Sequence, residues 1–261
     1  MRISFLSDNH ILPSMHSTDE LGLTHKIVLV DLDWITHERF LELRESKKMC
    51  IGYITSPKLN GWHRDHRTSV LGYMSGVYAA SEYLKNQLAT LNHEIGLLPF
   101  PVSADIHKPT KKEKKLLVVG EPITVKGKEN HAENIEPVLQ IFIALKEFGF
   151  ENAIASNPTA YLLAECWGFI DMSRSSRLPT HFITAGICGC WCFVWSYHAY
   201  ADKYPIHRFA NPEHAVEQIM TCYENSEGKA NMDFRKYMSK LHGFSTFEKN
   251  LKIIVNKIIF N

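Results

Sequence analysis

The sequence lacks the features that would mark it as a membrane-spanning, zinc-binding or dinucleotide-binding protein. No apolar run approaches the ~20 residues that a transmembrane helix needs. Six cysteines occur mostly inside apolar runs, without the paired spacing of a zinc site. No Gly-x-Gly-x-x-Gly follows a predicted strand, which argues against a dehydrogenase. We therefore expect buried structural cysteines and no bound metal.

The chain also lacks an excess of charge of either sign and a leader pattern. Its 29 Lys and Arg nearly balance its 28 Asp and Glu, so any basic surface must be local. Met1-Arg2 leads straight into a strand pattern rather than a signal peptide, which favours a cytoplasmic protein with reduced thiols. With 45% hydrophobic residues, the 261-residue chain can bury a substantial core.

Strand and helix patterns alternate through the first hundred residues, which predicts a parallel sheet. Thr36 and Ser81 are N-cap residues that precede helical segments. Asp31 and Asp33 follow the second predicted strand. The predicted strands are 3–6, 26–30, 49–54, 76–80 and 94–98, and the two helices run to about 44 and 91.

The alternation is interrupted at residues 103–115, which contain Pro109 and a run of lysines from Lys111 to Lys115. Runs of this kind are usually solvated linkers, so we place a domain boundary here. The predicted domains are 1–105 and 106–245, followed by a C-terminal helix over 246–261. The second domain is predicted to contain strands at 116–120 and 192–195, an apolar segment at 153–155, helices at 133–148, 159–167, 212–224 and 234–241, and a last helix capped by Ser245.

The most informative stretch runs from Met172 to Trp195. A polar loop follows an apolar strand, and Pro179 then stands near the first turn of a helix of small and medium apolar residues. Gly189 ends that helix, and a short buried strand follows. The loop therefore lies at the carboxyl end of its strand, where ligands of open α/β sheets bind.

This stretch resembles the donor-sugar loop and helix of group 4 glycosyltransferases of the GT-B fold. The two positions that hold glutamates in the family are Ser176 and Thr184 here. The segment 98–109 is similar to the family's interdomain stretch. The residues that match the family pattern are Ser173, Arg174, Leu178, Pro179, Ala185 and Gly189. Thr180-His181, Cys188-Gly189 and Trp195 resemble more narrowly the phage α-glucosyltransferases that modify hydroxymethylcytosine in DNA.

The resemblance covers most of residues 76–260 and implies an α/β fold, a compact GT-B. In that fold two Rossmann-like parallel-sheet domains face each other across a cleft, and the C-terminal helix crosses back to the first. The implied activity is transfer of a sugar, with retention, from a nucleotide sugar such as a UDP-sugar, with no metal or other cofactor. The favoured acceptor is 5-hydroxymethylcytosine in phage DNA, which implies the host cytoplasm. The alternatives are a saccharide or lipopolysaccharide acceptor, or a non-catalytic nucleotide-sugar-binding protein.

Donor-binding residues follow from the same resemblance. Gly120 and Lys126-Gly127 match a family loop that holds the diphosphate, whereas Glu121 stands where the family has arginine. Arg174 or Arg177 is expected to replace that charge. The hydroxyls at the two glutamate positions and Ser173 are expected near the sugar, and His181 near a phosphate or sugar oxygen.

Acceptor-side residues are concentrated in one loop of the first domain, 62–67. Asp65-His66 resembles the His/Asp pair of the phage enzymes. Asp65 can bind or deprotonate the acceptor hydroxyl, and His63 or His66 can bond the transferred sugar. Arg64 and Arg67 can contact DNA phosphates, and Trp62 can stack on a base.

Overall fold

The computed structural model describes residues 4–6, 27–33, 35–55, 70–88, 94–102, 109, 111–119, 135–154, 159–171, 180–196 and 204–260. These residues form two compact units, each with its own parallel sheet and helices. The first unit contains the described residues up to Pro101 together with the helix Phe244–Phe260, and the second contains those from Val102 to Gly243. The predicted α/β class is confirmed.

Strands and helices alternate through most of both units. In chain order the elements are β1 (Ser4–Leu6), β2 (Ile27–Asp31), α1 (His37–Glu45), β3 (Met49–Ile54), β4 (Gly76–Ala79), α2 (Glu82–Gln87), β5 (Ile95–Leu97), β6 (Glu113–Val119), α3 (Ile135–Glu147), β7 (Glu151–Ile154), α4 (Ala160–Glu165), β8 (Cys166–Asp171), α5 (Thr180–Ile187), β9 (Trp191–Trp195), β10 (His207–Phe209), α6 (Pro212–Ser226), α7 (Met232–His242) and α8 (Phe244–Phe260).

The first sheet has the order β1-β2-β3-β4-β5, so each strand pairs with the next strand of the chain. Both predicted caps are confirmed: Thr36 Oγ1 accepts from the Arg39 N–H at 3.3 Å, and Ser81 Oγ from the Leu84 N–H at 3.2 Å. The helix after Ser81 ends at Gln87, earlier than predicted.

Helix α8 completes the core of the first unit. Its Phe247, Leu251 and Val255 recur at helical spacing and are buried. The Phe247 ring meets Tyr53 of β3 edge to face, with 6.0 Å between the ring centroids. The helix nearest the carboxyl end of the chain therefore belongs to the unit formed by its first hundred residues.

The second sheet has the order β10-β9-β8-β6-β7, with all neighbours parallel. Strand β6 lies between β7 and β8, and the strands after β8 add outward on the side away from β7. The direction in which strands are added is therefore reversed between β6 and β8. Strand β10 was not predicted, because its three residues His207-Arg208-Phe209 carry no alternating pattern.

The lysine run before β6 is part of the folded unit, so its interpretation as a solvated linker is wrong. Lys112 Nζ donates to the carbonyls of Leu163 and Ala164 at 3.2 and 2.9 Å. Lys114 lies within β6, and its Nζ donates to the Phe148 carbonyl at 2.6 Å. These ammonium groups bind carbonyls near the ends of two helices, where cations are favourable.

Two predicted helix boundaries are also wrong. Helix α4 ends at Glu165, because Cys166 is already extended, and the buried Trp167 belongs to β8. Ser245 does not cap the last helix, which begins one residue earlier. Only Gly243, in extended conformation, separates α7 from α8.

All six cysteines are free and buried, as predicted. Within the described ranges, no group of three or more His, Cys, Asp or Glu side chains is arranged to hold a metal ion. None of the helices in the same part of the chain is both long and apolar enough to cross a bilayer.

Candidate functional site

The reversal in the second sheet marks a candidate ligand site. Val119, the last residue of β6, is the register partner of Asp171, the last residue of β8. The carboxyl ends of β6 and β8 therefore lie next to each other in the sheet. In open α/β sheets, ligands bind where the carboxyl ends of two such strands adjoin and the strand order reverses.

Both loops that the sequence assigned to the donor begin at this point. Of the predicted site residues, His181 and Thr184 are in the part of the chain that the structure describes. The other predicted residues, Gly120, Glu121, Lys126, Gly127, Ser173, Arg174 and Ser176 on the donor side and Trp62, His63, Arg64, Asp65, His66 and Arg67 on the acceptor side, lie outside the described residues.

Helix α5 follows the second of these loops and is firmly packed. A Cβ on Gly186 would lie 2.8 Å from Met238 Cγ and 2.9 Å from Phe234 Cε1, so α5 and α7 approach as closely as glycine allows. The Arg235 guanidinium donates to the Ile187 carbonyl at the end of α5. Gly189 then takes φ +76°, the left-handed conformation that ends many helices. The carboxyl half of α5 is thus held against α7.

Thr184 lies on α5 at the family's second glutamate position. Its Oγ1 donates to the Thr180 carbonyl at 2.8 Å, so its proton is used within the helix. The hydroxyl oxygen keeps lone pairs that can accept a hydrogen bond from a ligand. A threonine in this arrangement is a weaker and uncharged substitute for a carboxylate.

His181 lies in the first turn of α5 and is partly buried. Burial lowers the pKa of its imidazole, and the nearby Asp171 carboxylate opposes that shift. A neutral imidazole has one N–H donor and one acceptor nitrogen, which suits a hydrogen bond to a phosphate or sugar oxygen.

Asp171 is a site residue that the sequence analysis missed. It ends β8 at the reversal point and is only 3% exposed. The available signal was a carboxylate directly after the apolar pair Phe169-Ile170. A buried carboxylate at the end of a central strand, acting on His181, marks this edge as more than a connection between elements.

A second polar cluster lies at the carboxyl edge of the first sheet. Asp33 Oδ2 accepts from the N–H and the hydroxyl of Thr55, at 2.5 and 2.8 Å. Asp31 Oδ1 accepts from the Asp33 N–H at 3.1 Å, and Asp31 is the register partner of Tyr53. The pKa of the Tyr53 phenol lies well above its ordinary value. Burial is the larger cause, and the charges of Asp31 and Asp33 raise the pKa further. The sequence analysis noted both aspartates and gave them no role.

Comparison with solved structures identifies the architecture. The chain superposes on Anabaena HepE in complex with UDP with a TM-score of 0.62, over 90% of this chain and 79% of HepE, at 8% identity. The protein has the GT-B fold. Sucrose-phosphate synthase from Thermosynechococcus elongatus matches with a TM-score of 0.59, over 90% of this chain and 74% of that one, at 10% identity. The pneumococcal O-GlcNAc transferase GtfA, in complex with UDP and GlcNAc, gives 0.58 over 90% and 57%, at 12% identity.

The GT-B match extends beyond the segment that carried the sequence resemblance. Since 90% of the chain is covered, the match includes part of the segment before residue 76. No protein-family model matches the sequence. No curated protein sequence matches it either.

Proposed function

We propose that this protein is a glycosyltransferase that moves a sugar from a UDP-sugar to a hydroxyl group of an acceptor. The observation that carries the proposal is the pairing of Val119 with Asp171, which puts the carboxyl ends of β6 and β8 next to each other at the reversal of a parallel sheet. Two of the similar GT-B structures contain UDP, which supports a UDP-sugar as co-substrate.

The donor diphosphate needs positive charge as it leaves. In this proposal Lys126 and Arg174 neutralise it, and the amino end of α5 adds its partial positive charge. His181 donates a hydrogen bond to a phosphate or sugar oxygen. Burial lowers the pKa of that imidazole, and the charge of the Asp171 carboxylate opposes the shift.

The reaction replaces one bond at the anomeric carbon by another. The bond from that carbon to the diphosphate oxygen breaks, and a bond to the acceptor oxygen forms. The acceptor proton passes to the leaving phosphate, with retention of configuration. Asp65 orients the acceptor hydroxyl, and His63 and His66 bond the transferred sugar.

The proposed acceptor is 5-hydroxymethylcytosine in DNA. The support is the sequence of the loop 62–67, in which Arg64 and Arg67 offer charge to phosphates and Trp62 offers a stacking surface. The base would have to leave the duplex stack for its hydroxyl to reach the donor. A free saccharide is the competing acceptor of the same reaction.

The donor site is tested by calorimetric titration with UDP. Lys126→Ala should weaken binding by ~1.5–3 kcal/mol, the range for hydrogen bonds to charged groups. Lys111→Ala is the matched control, because Lys111 is exposed and precedes β6 at the opposite, amino edge of the sheet. Equal affinity in the two variants would remove Lys126 from the site.

The acceptor is tested by mass analysis of nucleosides. Hydroxymethylated DNA is incubated with the protein and a panel of nucleotide sugars, with unmodified DNA and methyl glucosides as controls. A glycosylated hydroxymethylcytosine nucleoside would support the DNA acceptor. A disaccharide formed from a methyl glucoside would instead show that the acceptor is a free sugar.

A non-catalytic nucleotide-sugar-binding protein is the second candidate. It is favoured by Glu121, by the loss of both family glutamates and by the Thr184 hydroxyl that donates within its own helix. Slow hydrolysis of UDP-glucose without acceptor separates the two, since a turnover-competent site hydrolyses its donor and a binder only retains it.

A further inference from the structure

Helix α8 carries large apolar side chains on both of its faces. Phe247, Leu251 and Val255 are buried against the first unit. On the opposite face Ile253 is 57% exposed and Phe260 is 83% exposed, and Ile259 beside them is 48% exposed. Isolated exposed apolar residues are common, but two in line on the solvent face of one helix, with Ile259 on the flank of that face, form the kind of patch that marks a contact surface.

The exposed residues of α8 form an ordered pattern. Ile253 and Phe260 are seven residues apart, which is about two turns, so they lie in line along the helix. Lys252 and Lys257 are exposed and project on opposite sides of that line. Lys249 is exposed in the same line, one turn before Ile253. From Lys249 to Phe260 the helix contains no acidic residue.

This pattern fits a lipid surface better than an ordinary solvated face. An interfacial helix places apolar side chains at the boundary of headgroups and acyl chains, with lysines beside them. The lysine stems lie along the apolar region while the ammonium groups reach anionic headgroups. Helix α3 shows the contrast, because its exposed Leu139 and Ile143 are accompanied by charges of both signs, Lys146 and Glu147.

We propose that the solvent face of α8, formed by Lys249, Lys252, Ile253, Lys257, Ile259 and Phe260, binds the surface of a bilayer that contains anionic lipid. Charge complementarity selects this occupant, since the charged side chains of this face are all lysines and they surround Ile253 and Phe260. The exposed Glu248 lies just before the patch, on its flank. Binding of this kind needs no membrane-spanning helix and is independent of the proposed sugar transfer.

The test is cosedimentation of the full chain with vesicles, in the absence of any nucleotide. Vesicles of phosphatidylcholine alone are compared with an equal mixture of phosphatidylcholine and phosphatidylglycerol, at low and high NaCl. We expect binding to the anionic vesicles that weakens with salt, and much weaker binding to the zwitterionic ones. Lack of binding to both kinds, or equal binding to both, would overturn the proposal.

Matched variants locate the surface. Lys252→Gln/Lys257→Gln should lower the partition coefficient about 30-fold, at about fivefold for each lysine near an anionic surface. Ile253→Ser/Phe260→Ser should lower it about 10-fold or more. Leu139→Ser/Ile143→Ser on α3 should leave it unchanged, and an equal loss there would overturn the assignment.

Two further measurements test whether the α8 variants lose vesicle binding for another reason, namely unfolding or the loss of a dimer. Thermal unfolding of the α8 variants should match that of the parent, because the changed side chains are exposed. Light scattering tests the other occupant, a second copy of the chain. A dimer that dissociates in Ile253→Ser/Phe260→Ser would replace the bilayer by a self-contact and overturn the proposal.

Discussion

Replacing Tyr53 by phenylalanine should stabilise the first unit, although it removes a polar group. The Tyr53 side chain is fully buried, and its Oη has no hydrogen-bond partner among the described residues. Burial raises the pKa of the phenol, and the Asp31 and Asp33 carboxylates raise it further, so the hydroxyl stays protonated. The hydroxyl is hydrated in the unfolded chain and loses that hydration on folding.

The expected gain in stability follows from the free-energy cost of burying a hydroxyl that has no hydrogen-bond partner. An unsatisfied buried donor costs about 1–3 kcal/mol. Phenylalanine keeps the ring and its edge-to-face contact with Phe247, so the cavity term is small. We expect the variant to be more stable by about 1–2 kcal/mol, which raises Tm by about 2–4 °C per kcal/mol in a chain of this size.

Urea and thermal unfolding followed by circular dichroism measure this change, and Tyr73→Phe is the matched control. Tyr73 belongs to the same unit, and its Oη donates to the carbonyls of Leu43 and Arg44 at 3.3 and 3.2 Å. Removing that satisfied hydroxyl should cost about 0.5–1.5 kcal/mol. A loss of stability in Tyr53→Phe like that in Tyr73→Phe would refute the reasoning, because it would mean that Tyr53 Oη is hydrogen-bonded in the folded protein.

Four further predictions concern the second unit and the acceptor loop. Gly186→Ala should destabilise by about 1–3 kcal/mol in urea, since the added methyl overlaps α7; a neutral result would show that α7 can shift. Lys112→Met should cost about 1–2 kcal/mol because two carbonyls lose their donor, and Lys111→Met, at an exposed position, should cost much less. Burial lowers the pKa of His181, so the folded protein binds fewer protons than the unfolded chain below about pH 6.5; the parent should lose stability from about pH 6.5 downward and His181→Gln should lose less. Asp65→Asn should reduce turnover ~10²-fold or more with UDP affinity unchanged, and full turnover would exclude its catalytic role.

The elements that depend on local chemistry could be predicted from the sequence. The caps at Thr36 and Ser81 act on N–H groups three residues ahead, and Asn211 accepts from the His214 N–H in the same way. The buried strands β2 and β3 are indicated by short apolar runs. These signals need no knowledge of distant residues.

The features that depend on distant partners could not be predicted. Strand β10 exists because His207–Phe209 pairs with β9, and three residues give no period. Lys112 looks solvated until two carbonyls about fifty residues away are placed beside it. The polar cluster of the first sheet likewise needs Thr55, which is 22 residues from Asp33. For the candidate donor site, the loops were proposed from a resemblance, whereas the reversal of strand order between β6 and β8 is a property of the sheet that no local pattern shows.

The composition of the first unit has a consequence for how the protein is made. Its sheet is synthesised before the second unit, but the side chains of α8 that cover Tyr53 and complete its core are synthesised after it. Domains ordinarily fold one after another as the chain leaves the ribosome. Here the described residues of the second unit all precede α8, so that unit can finish folding while the first still exposes the apolar surface that α8 will cover. A chain that ends at Gly243 and has been released from the ribosome should therefore contain a protease-resistant second unit and a protease-sensitive first one.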